Sequence, residues 1–428
     1  MTTPPQKHDP YAAFRVKDYR RYISGAMVAQ LGTRLQGMAI AWEMYQRTGQ
    51  ALALGLVGLV SALPTIVLAL PAGYLADTFD RRKVMTLSLL GATATSLGLA
   101  ALSFTEGSIF LMYMLLLLDA AAMILGRPAA TSLLPQILPR EVFPNAVTWN
   151  SSLRQIISVL GPAIGGFVVA VSVPAAYLAC AAGTLIFIVL LTPIRIRGAT
   201  KQTGRATVQT VLAGLHYLRR ARLLLVIISL DMFAVLLGGA VYLLPIFAQD
   251  ILQVGATGFG WLRAAPAAGA FCMAIMLVYL PPMRRAGRNL LLAVAGFGVA
   301  TIIFGLSRSF WLSLGMLFLA GLFDNVSMVI RHTLVQLLTP DSMRGRVSAV
   351  NSVFISASNE LGGLESGVVA HWFGPVFSVV SGGLGTIVVV LFTAVSSPAL
   401  RAFGALHEAK PIEDDVRPPG SVEMNEPD

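Results

Sequence analysis

The sequence predicts an all-α integral membrane protein whose twelve transmembrane helices form two pseudo-symmetric six-helix bundles. Three observations predict this class: the scarcity of charge, the length of the apolar runs, and the placement of the basic residues. Of the 428 residues, 56% are hydrophobic and only 12% are charged, against about 25% charged in a soluble domain. So few charges cannot cover the surface of a soluble protein this long. A soluble enzyme, a disordered chain and a disulfide-stapled secreted domain are therefore excluded.

Twelve apolar runs each have about the length of 20 residues that a spanning helix needs. The runs are continuous rather than alternating, which excludes a transmembrane β-barrel. The predicted spans are residues 22–45, 52–77, 84–104, 109–136, 145–171, 173–194, 223–249, 256–281, 288–306, 310–338, 346–370 and 374–397. The predicted organisation is an N-terminal segment 1–21, a first bundle 22–194, a basic linker 195–222, a second bundle 223–397 and an acidic, disordered tail 398–428.

Basic residues mark one side of the predicted bundles. Of the 31 lysines and arginines, 24 lie in the termini and in alternate connections, while only Arg47 and Arg308 lie on the other side. The positive-inside rule then predicts a multi-pass protein of the cytoplasmic membrane with both termini in the cytoplasm. This placement of the bases favours contact with a membrane surface over binding to a nucleic acid. Residues 208–218 of the linker have helical apolar spacing and are predicted to lie along the inner membrane surface. The polar N-terminus predicts no removable signal peptide.

The two halves of the chain resemble each other at an offset of about 200 residues. Residues 134–138 match residues 334–338, and after a one-residue shift Asn150 and Gly161 fall on Asn351 and Gly362. Two parallel repeats joined by a basic connector are typical of transporters. The alternative is chance similarity between apolar helices.

The connection between the second and third spans carries the strongest motif. It reads Gly-Tyr-Leu-Ala-Asp-Thr-Phe-Asp-Arg-Arg-Lys from Gly73, with Asp77, Arg81 and Arg82 at its functional positions. This resembles the loop signature of the major facilitator superfamily, except that a threonine replaces a base and an aspartate replaces a glycine. The resemblance implies a cytoplasmic latch between the two halves, with Glu141 as a candidate partner of the arginines. The alternative is that the arginines only anchor the loop at the inner leaflet.

A second motif, Gly161-Pro162-Ala-Ile-Gly165-Gly166, lies in the fifth span. Proline removes a backbone donor and bends a helix, and glycines allow helices to pack closely. The motif is similar to the Gly-Pro-x-x-Gly-Gly of antiporters and exporters of the same superfamily, although Ile157 replaces the usual upstream glycine. The alternative is an ordinary packing face of small residues.

Further matching segments cover nearly the whole chain: residues 14–20, 48–58, 76–82, 243–252 and 262–266. Together they resemble the branch of the superfamily that contains enterobactin exporters and macrolide efflux proteins. The resemblance implies a secondary transporter that exports small amphipathic or hydrophobic compounds, siderophore-like or drug-like. We expect it to be a monomer and to exchange its cargo for protons. An importer of the same fold is the first alternative, and a membrane receptor or intramembrane enzyme is a remote one. No phosphate-binding loop of the ATPase type occurs. The histidines lack ligand spacing, and we expect no cofactor, no metal and no nucleic-acid partner.

Ionisable residues inside the predicted spans mark the candidate site. Each is costly in the bilayer unless it is paired or faces a wet cavity. In the superfamily, the first, fourth, seventh and tenth spans line the cavity, and Gln30, Arg34 and Gly37 share one face by helical spacing. The candidate cavity residues are Arg34, Asp119, Arg127, Asp231, Asp324, Arg331 and Glu360.

One of the acids Asp119, Asp324 and Asp231 is the hypothetical proton carrier. A carboxylic acid held away from water favours its neutral form, and it can exchange a proton with each side in turn. An acid tightly paired with arginine is the weaker candidate, and ion pairing that holds helices together is the alternative role. Arg263 also lies within a span, but the sequence assigns it no role.

Overall fold

The computed structural model of the chain describes residues 9–194, 215–281 and 283–404, without the side chains of residues 69, 70, 76, 77, 342, 349, 353 and 356. Most of the predicted surface-lying segment 208–218 and most of the tail 398–428 lie outside the described residues. In the described part the long helices are α1 Lys17–Thr48, α2 Ala51–Thr78, α3 Arg81–Phe104, α4 Ile109–Ile137, α5 Phe143–Val171, α6 Val173–Leu191, α7 Arg222–Ile251, α8 Gly255–Tyr279, α9 Ala286–Leu306, α10 Phe310–Leu338, α11 Asp341–Phe373 and α12 Pro375–Ser396. Short helices at Ala12–Arg15 and Pro398–Arg401 flank them.

The long helices correspond one to one to the predicted spans. Within the described residues, ten of them are long and apolar enough to cross a membrane, and the more polar α1 and α11 are the other two. The prediction of an all-helical membrane protein is therefore confirmed. The main differences are at the polar helix ends: α1 begins at Lys17 rather than at residue 22, and α11 begins at Asp341 rather than at residue 346. These first turns continue the helix beyond its apolar part.

The helix α7 is irregular in its second half. Residues Gly239–Leu243 form a 3₁₀ turn, and Phe247–Ile251 form a π-helical turn. Pro245 has no backbone N–H, so it leaves the carbonyl of Val241 without the partner that an α-helix would supply four residues later. That carbonyl instead accepts a hydrogen bond of 2.8 Å from Nη1 of Arg263 in α8. The break in α7 thus creates a polar position in the middle of the molecule.

The six-helix halves meet along two interfaces, α2 with α11 and α5 with α8. We call the face of the bundle that carries residues 9 and 404 the terminal face, and the other the opposite face. Glycines bring the backbones together near the opposite face at both interfaces. A Cβ added at Gly367 would lie 2.6 Å from Cα of Gly55, and one added at Gly166 would lie 2.5 Å from Cα of Gly260. The halves are therefore closed against each other at the opposite face.

The hydrophobic core follows the same division. One buried cluster near the opposite face contains side chains of both halves, such as Trp42 of α1 and Phe259 of α8, whose rings stack with centroids 5.7 Å apart. Toward the terminal face each half has a separate cluster, one around Leu133 and the other around Leu334. The halves therefore diverge toward the terminal face, and the central cavity opens there.

Candidate substrate cavity and gates

The predicted cavity face of α1 is open to solvent. Arg34 and Gly37 are exposed although they lie in the middle of a long helix, and a Cβ at Gly37 would meet nothing within 4 Å. Arg34 packs against α5, where a Cβ added at Gly161 would lie 2.9 Å from the Cβ of Arg34. The glycine of the predicted exporter motif thus makes room for a candidate cavity residue.

The rest of that motif packs on two helices. A Cβ at Gly165 would lie 2.9 Å from Cγ of Met38 in α1, whereas Gly166 faces Gly260 of α8. The carbonyl of Pro162 also approaches α8, at 2.9 Å from the position of a Cβ on Gly260. The motif therefore lies where α1, α5 and α8 meet in the closed interface between the halves.

Four polar side chains meet at the closed end of the cavity, which we call the apex. The Tyr242 hydroxyl in the α7 break donates to Oε2 of Glu360 in α11 at 3.4 Å. Arg263 donates to the carbonyl of Val241, next to Tyr242 in the chain, and Arg34 lies beside α5 where α1, α5 and α8 meet. The sequence placed Arg34 and Glu360 in the site but missed Tyr242 and gave Arg263 no role. Pro245 was the sequence signal for the role of Arg263, because its missing N–H leaves a backbone carbonyl that needs a donor from another helix.

Toward the terminal face, α4 and α10 present matching exposed stripes. Each stripe has residues at i, i+4 and i+8, which share one helix face. The stripes are Met123, Arg127 and Thr131 on α4, and Asp324, Met328 and His332 on α10. They are related by 201 residues, the difference between Met123 and Asp324, so the internal repeat places them at equivalent positions.

Contacts near these stripes place α10 beside α7 and α4 beside α1. Asp324 shares its helix face with Arg331, which points to α7 within the same half. On the other side, the Tyr22 hydroxyl donates to the carbonyl of Ala130 at 3.3 Å, which places α1 beside this part of α4. In the described part of the chain, neither Arg127 nor Asp324 forms an ion pair. Both are therefore free to meet a ligand or water.

Asp119 lies between helices of the first half rather than on the cavity wall. Its Oδ1 accepts a hydrogen bond of 2.7 Å from the Thr95 hydroxyl, and its Oδ2 accepts one of 3.2 Å from Gln36 Nε2. The Ser96 hydroxyl in turn donates to Oε1 of Gln36 at 2.7 Å. Asp119 is thus held by neutral donors from α1 and α3. The sequence missed these partners, although polar residues inside apolar helices were the signal.

Asp231 and Arg331 form a buried ion pair that joins α7 to α10. Their exposed fractions are only 7% and 4%. This contact corresponds to the structural role, which is one of the two that the sequence left open for charged residues at membrane depth. A carboxylate bound to a guanidinium in this way is stabilised in its charged form by that partner.

A polar network closes the opposite face. Glu43 is buried, accepts a hydrogen bond of 2.8 Å from the Tyr177 hydroxyl, and pairs with Arg47 at 3.4 Å. The Tyr45 hydroxyl bonds to Asp250 in the π-helical turn of α7. The last contact links the first half to the second, so it belongs to the closed gate.

In the predicted gate motif, the described contacts of Asp80 and Arg82 lie within the first half. Asp80, which stands where the signature has glycine, caps α3 by accepting from the backbone N–H groups of Arg82 and Lys83 at 2.9 and 3.1 Å. The Arg82 guanidinium donates to the carbonyls of Thr192 and Ile194 beyond α6, in the same half.

The other gate residues are compatible with an open terminal face. Glu141 is exposed and forms no ion pair with any described residue. A Cβ at Gly73 would meet nothing within 4 Å, and the Asp77 side chain lies outside the described residues.

Comparison with characterised proteins agrees with this architecture. The chain is 28% identical over 396 residues to the enterobactin exporter EntS of Shigella boydii serotype 18, covering 92% of this chain and 94% of that protein. The corresponding exporter of Escherichia coli O1:K1 matches with the same identity and coverage.

Solved structures show the same fold. A bacterial homologue of the human lysosomal transporter Spinster, in an inward-facing and occupied conformation, superposes with a TM-score of 0.69 at 14% identity, covering 92% of this chain and 98% of that one. A bacterial homologue of the iron transporter ferroportin, in an inward-facing state, has a TM-score of 0.67 at 15% identity, covering 90% and 99%.

The family model described as transmembrane secretion effector matches residues 8–415, nearly the whole chain. The chain therefore belongs to the transmembrane secretion effector family, and it is a multi-pass transporter with the major facilitator fold.

Proposed function

We propose that the protein exports a small amphipathic or hydrophobic organic compound from the cytoplasm in exchange for protons, by alternating access. In this proposal the terminal face is cytoplasmic, which the excess of basic residues on that face supports. The observation that carries the proposal is the cavity itself, which is open at the terminal face and closed by glycine contacts at the opposite face. Such a state is the one in which an exporter loads its cargo.

A siderophore-like or drug-like compound is the proposed cargo, and the active unit is a monomer in the cytoplasmic membrane. The similarity to enterobactin exporters over more than nine-tenths of the chain supports a cargo of this kind. The Gly161-Pro162 motif supports export rather than import, because it resembles the motif of antiporters and exporters, and it packs against Arg34 and Gly260 between the halves.

Asp324 is the proposed proton carrier among the three candidate acids. Asp231 is bound to Arg331, which favours its charged form, and Asp119 is enclosed by donors inside the first half. Asp324 is exposed on the cavity stripe of α10 and pairs with no described base. Asp324 can therefore gain a proton when the cavity opens to one side of the membrane and lose it when the cavity opens to the other side.

The gate motif acts at the stage of the transport cycle in which the terminal face is closed. When the terminal face closes, Asp77, Arg81 and Arg82 approach the second half and latch it, with Glu141 beside the arginines. The contact of Arg82 with the end of α6 holds this loop ready while the face is open.

The direction of transport is tested in inside-out membrane vesicles energised by respiration. Enterobactin, a macrolide and D-xylose serve as probes, with acridine orange as the reporter of lumen acidity. We expect the first or the second probe to accumulate in the lumen and to release protons, because an exporter exchanges cargo for lumenal protons. Uptake of a probe only in right-side-out vesicles would instead support the importer.

Asp324→Asn is expected to abolish transport driven by a pH gradient while cargo exchange without a gradient continues. Asparagine keeps the size and the hydrogen bonding of the side chain but cannot take up a proton. The measurement compares gradient-driven uptake with counterflow in proteoliposomes. Glu106→Gln is the matched control, because Glu106 is exposed in the loop between α3 and α4.

Two other results would reassign or reject the coupling. Loss of gradient-driven transport in Asp119→Asn, with Asp324→Asn unaffected, would assign the proton to Asp119. Normal coupling in Asn variants of Asp119, Asp231 and Asp324 would reject proton coupling through these residues.

A further inference from the structure

We propose that Arg34 and Arg263 form the binding site for an anionic group of the transported compound. The inference rests on the proposed function and narrows its substrate class to amphipathic organic anions, such as carboxylates. One arginine comes from each half of the protein, so a bound anion would lie across the apex between α1 and α8.

The charge arrangement at the apex is incomplete without a ligand. Arg34 lies beside Gly161 of α5. The carbonyl of the next residue, Pro162, approaches α8 at Gly260, less than one helical turn before Arg263. Within residues 9–194, 215–281 and 283–404, neither arginine has a carboxylate at ion-pair distance. Glu360 accepts a hydrogen bond from the Tyr242 hydroxyl instead. Two like charges at the apex repel each other, and an anion between them would remove that repulsion.

Packing positions the stem of Arg34, and a hydrogen bond positions the guanidinium of Arg263. The stem of Arg34 packs on α5 where Gly161 leaves space for it. Arg263 is anchored by one hydrogen bond to the carbonyl of Val241, which Pro245 leaves free. A guanidinium has five N–H donors, so most donors of both residues remain available for a planar, bidentate anion such as a carboxylate.

The wall of the first half continues this positive surface toward the cavity mouth. Arg127 and Arg154 are both exposed, and Nε of Arg154 donates to the Asn150 amide oxygen at 3.2 Å. The acids of the same spans, Glu43 and Asp119, are engaged in networks away from the wall. A row of arginines in a cleft with low-dielectric walls steers anions inward.

The same cavity also offers apolar contacts. Met123 and Met328 are exposed on the two stripes, at 39% and 37%. Methionine side chains are flexible and polarisable, so they adapt to apolar groups of different shapes. The cavity therefore fits a compound with an anionic group at the apex and an apolar body between α4 and α10.

The test measures binding and not transport, so its result does not depend on the proposed function. The purified full-length protein is placed in nanodiscs of zwitterionic phosphatidylcholine, and dansylglycine and dansylglycinamide are titrated by dansyl fluorescence. The two probes share a fluorophore and differ in one carboxylate. We expect dansylglycine to bind about tenfold more tightly than dansylglycinamide, because its carboxylate accepts charge-assisted hydrogen bonds from the two guanidinium groups.

Variants assign that preference to the apex. Arg34→Gln is expected to remove the preference for dansylglycine, and Arg34→Lys is expected to restore part of it because the charge returns. Arg308→Gln, an exposed base on the opposite face, is expected to keep the full preference. Arg263→Gln is a second variant that is expected to lose the preference. Every variant must give a monodisperse size-exclusion profile, which shows that it is folded.

Equal binding of the two probes, or no saturable binding of dansylglycine, would overturn the inference. An unchanged preference for dansylglycine in both Arg34→Gln and Arg263→Gln would also overturn it. Loss of dansylglycine binding on addition of anionic phosphatidylglycerol would overturn it as well, because a lipid headgroup would then be the ligand. Transport of neutral cargo in the vesicle assay, with equal probe binding, would leave the exporter proposal intact and reject only this inference. An anion preference without transport would reject only the exporter proposal.

Discussion

Gly166→Val is expected to abolish transport by preventing the two halves from closing at the opposite face. Even a single Cβ at this position would lie 2.5 Å from Cα of Gly260 and 2.8 Å from the carbonyl oxygen of Ala256. Both contacts are with backbone, which cannot move aside as a flexible side chain can. Each half keeps its own core around Leu133 or Leu334, so we expect the variant to fold and to remain open at the opposite face.

The measurement combines transport with cysteine accessibility. Ala51 is buried where its carbonyl approaches Gly367 in the other interface. An Ala51→Cys reporter in a Cys272→Ser background should react faster with a membrane-impermeant maleimide in the Gly166→Val variant.

Gly315→Val is the matched control, because a Cβ at Gly315 meets nothing within 4 Å. Normal transport by Gly166→Val, or a reporter that reacts no faster, would contradict the assigned gate.

Arg331→Met is expected to lower the free energy of unfolding by about 3–5 kcal/mol, because it leaves the buried Asp231 carboxylate without its partner. Methionine keeps much of the volume of the side chain, so most of the effect is electrostatic. The measurement is thermal unfolding of the purified protein in detergent, with size-exclusion chromatography as the readout of the folded fraction.

Two variants separate this effect from a general loss of packing. The double variant Asp231→Asn, Arg331→Met should recover most of the stability, because no unpaired charge remains. Arg344→Met breaks an exposed pair with Asp341, whose side chains are 48% and 88% accessible, so its effect should stay below about 1 kcal/mol. A double variant no more stable than Arg331→Met would contradict the role of the pair.

Much of the fold could be predicted from local sequence. Apolar runs of spanning length determine the helices, and the internal repeat determines the division into halves, because lipid leaves a backbone few alternatives to the helix. Arg34 and Asp324 could also be found this way, since a charge at membrane depth is rare enough to stand out.

The roles of the charged residues could not be predicted in the same way. Asp119, Asp231 and Asp324 look alike in sequence, but they occupy a neutral hydrogen-bond network, an ion pair and an exposed stripe. Arg263 was equally visible as a charge, yet its place at the apex follows from the break in α7.

The sequence alone determined the helices, the family and the small set of charges among which a site must lie. Those properties depend on composition and spacing along one chain. Only the tertiary structure decided which of those charges are paired, which face the cavity, and that Gly166 meets Gly260 at the closed gate. The physical reason is that the energy of a buried charge or of a close helix contact depends on the groups that surround it, and here those groups come from helices distant in sequence.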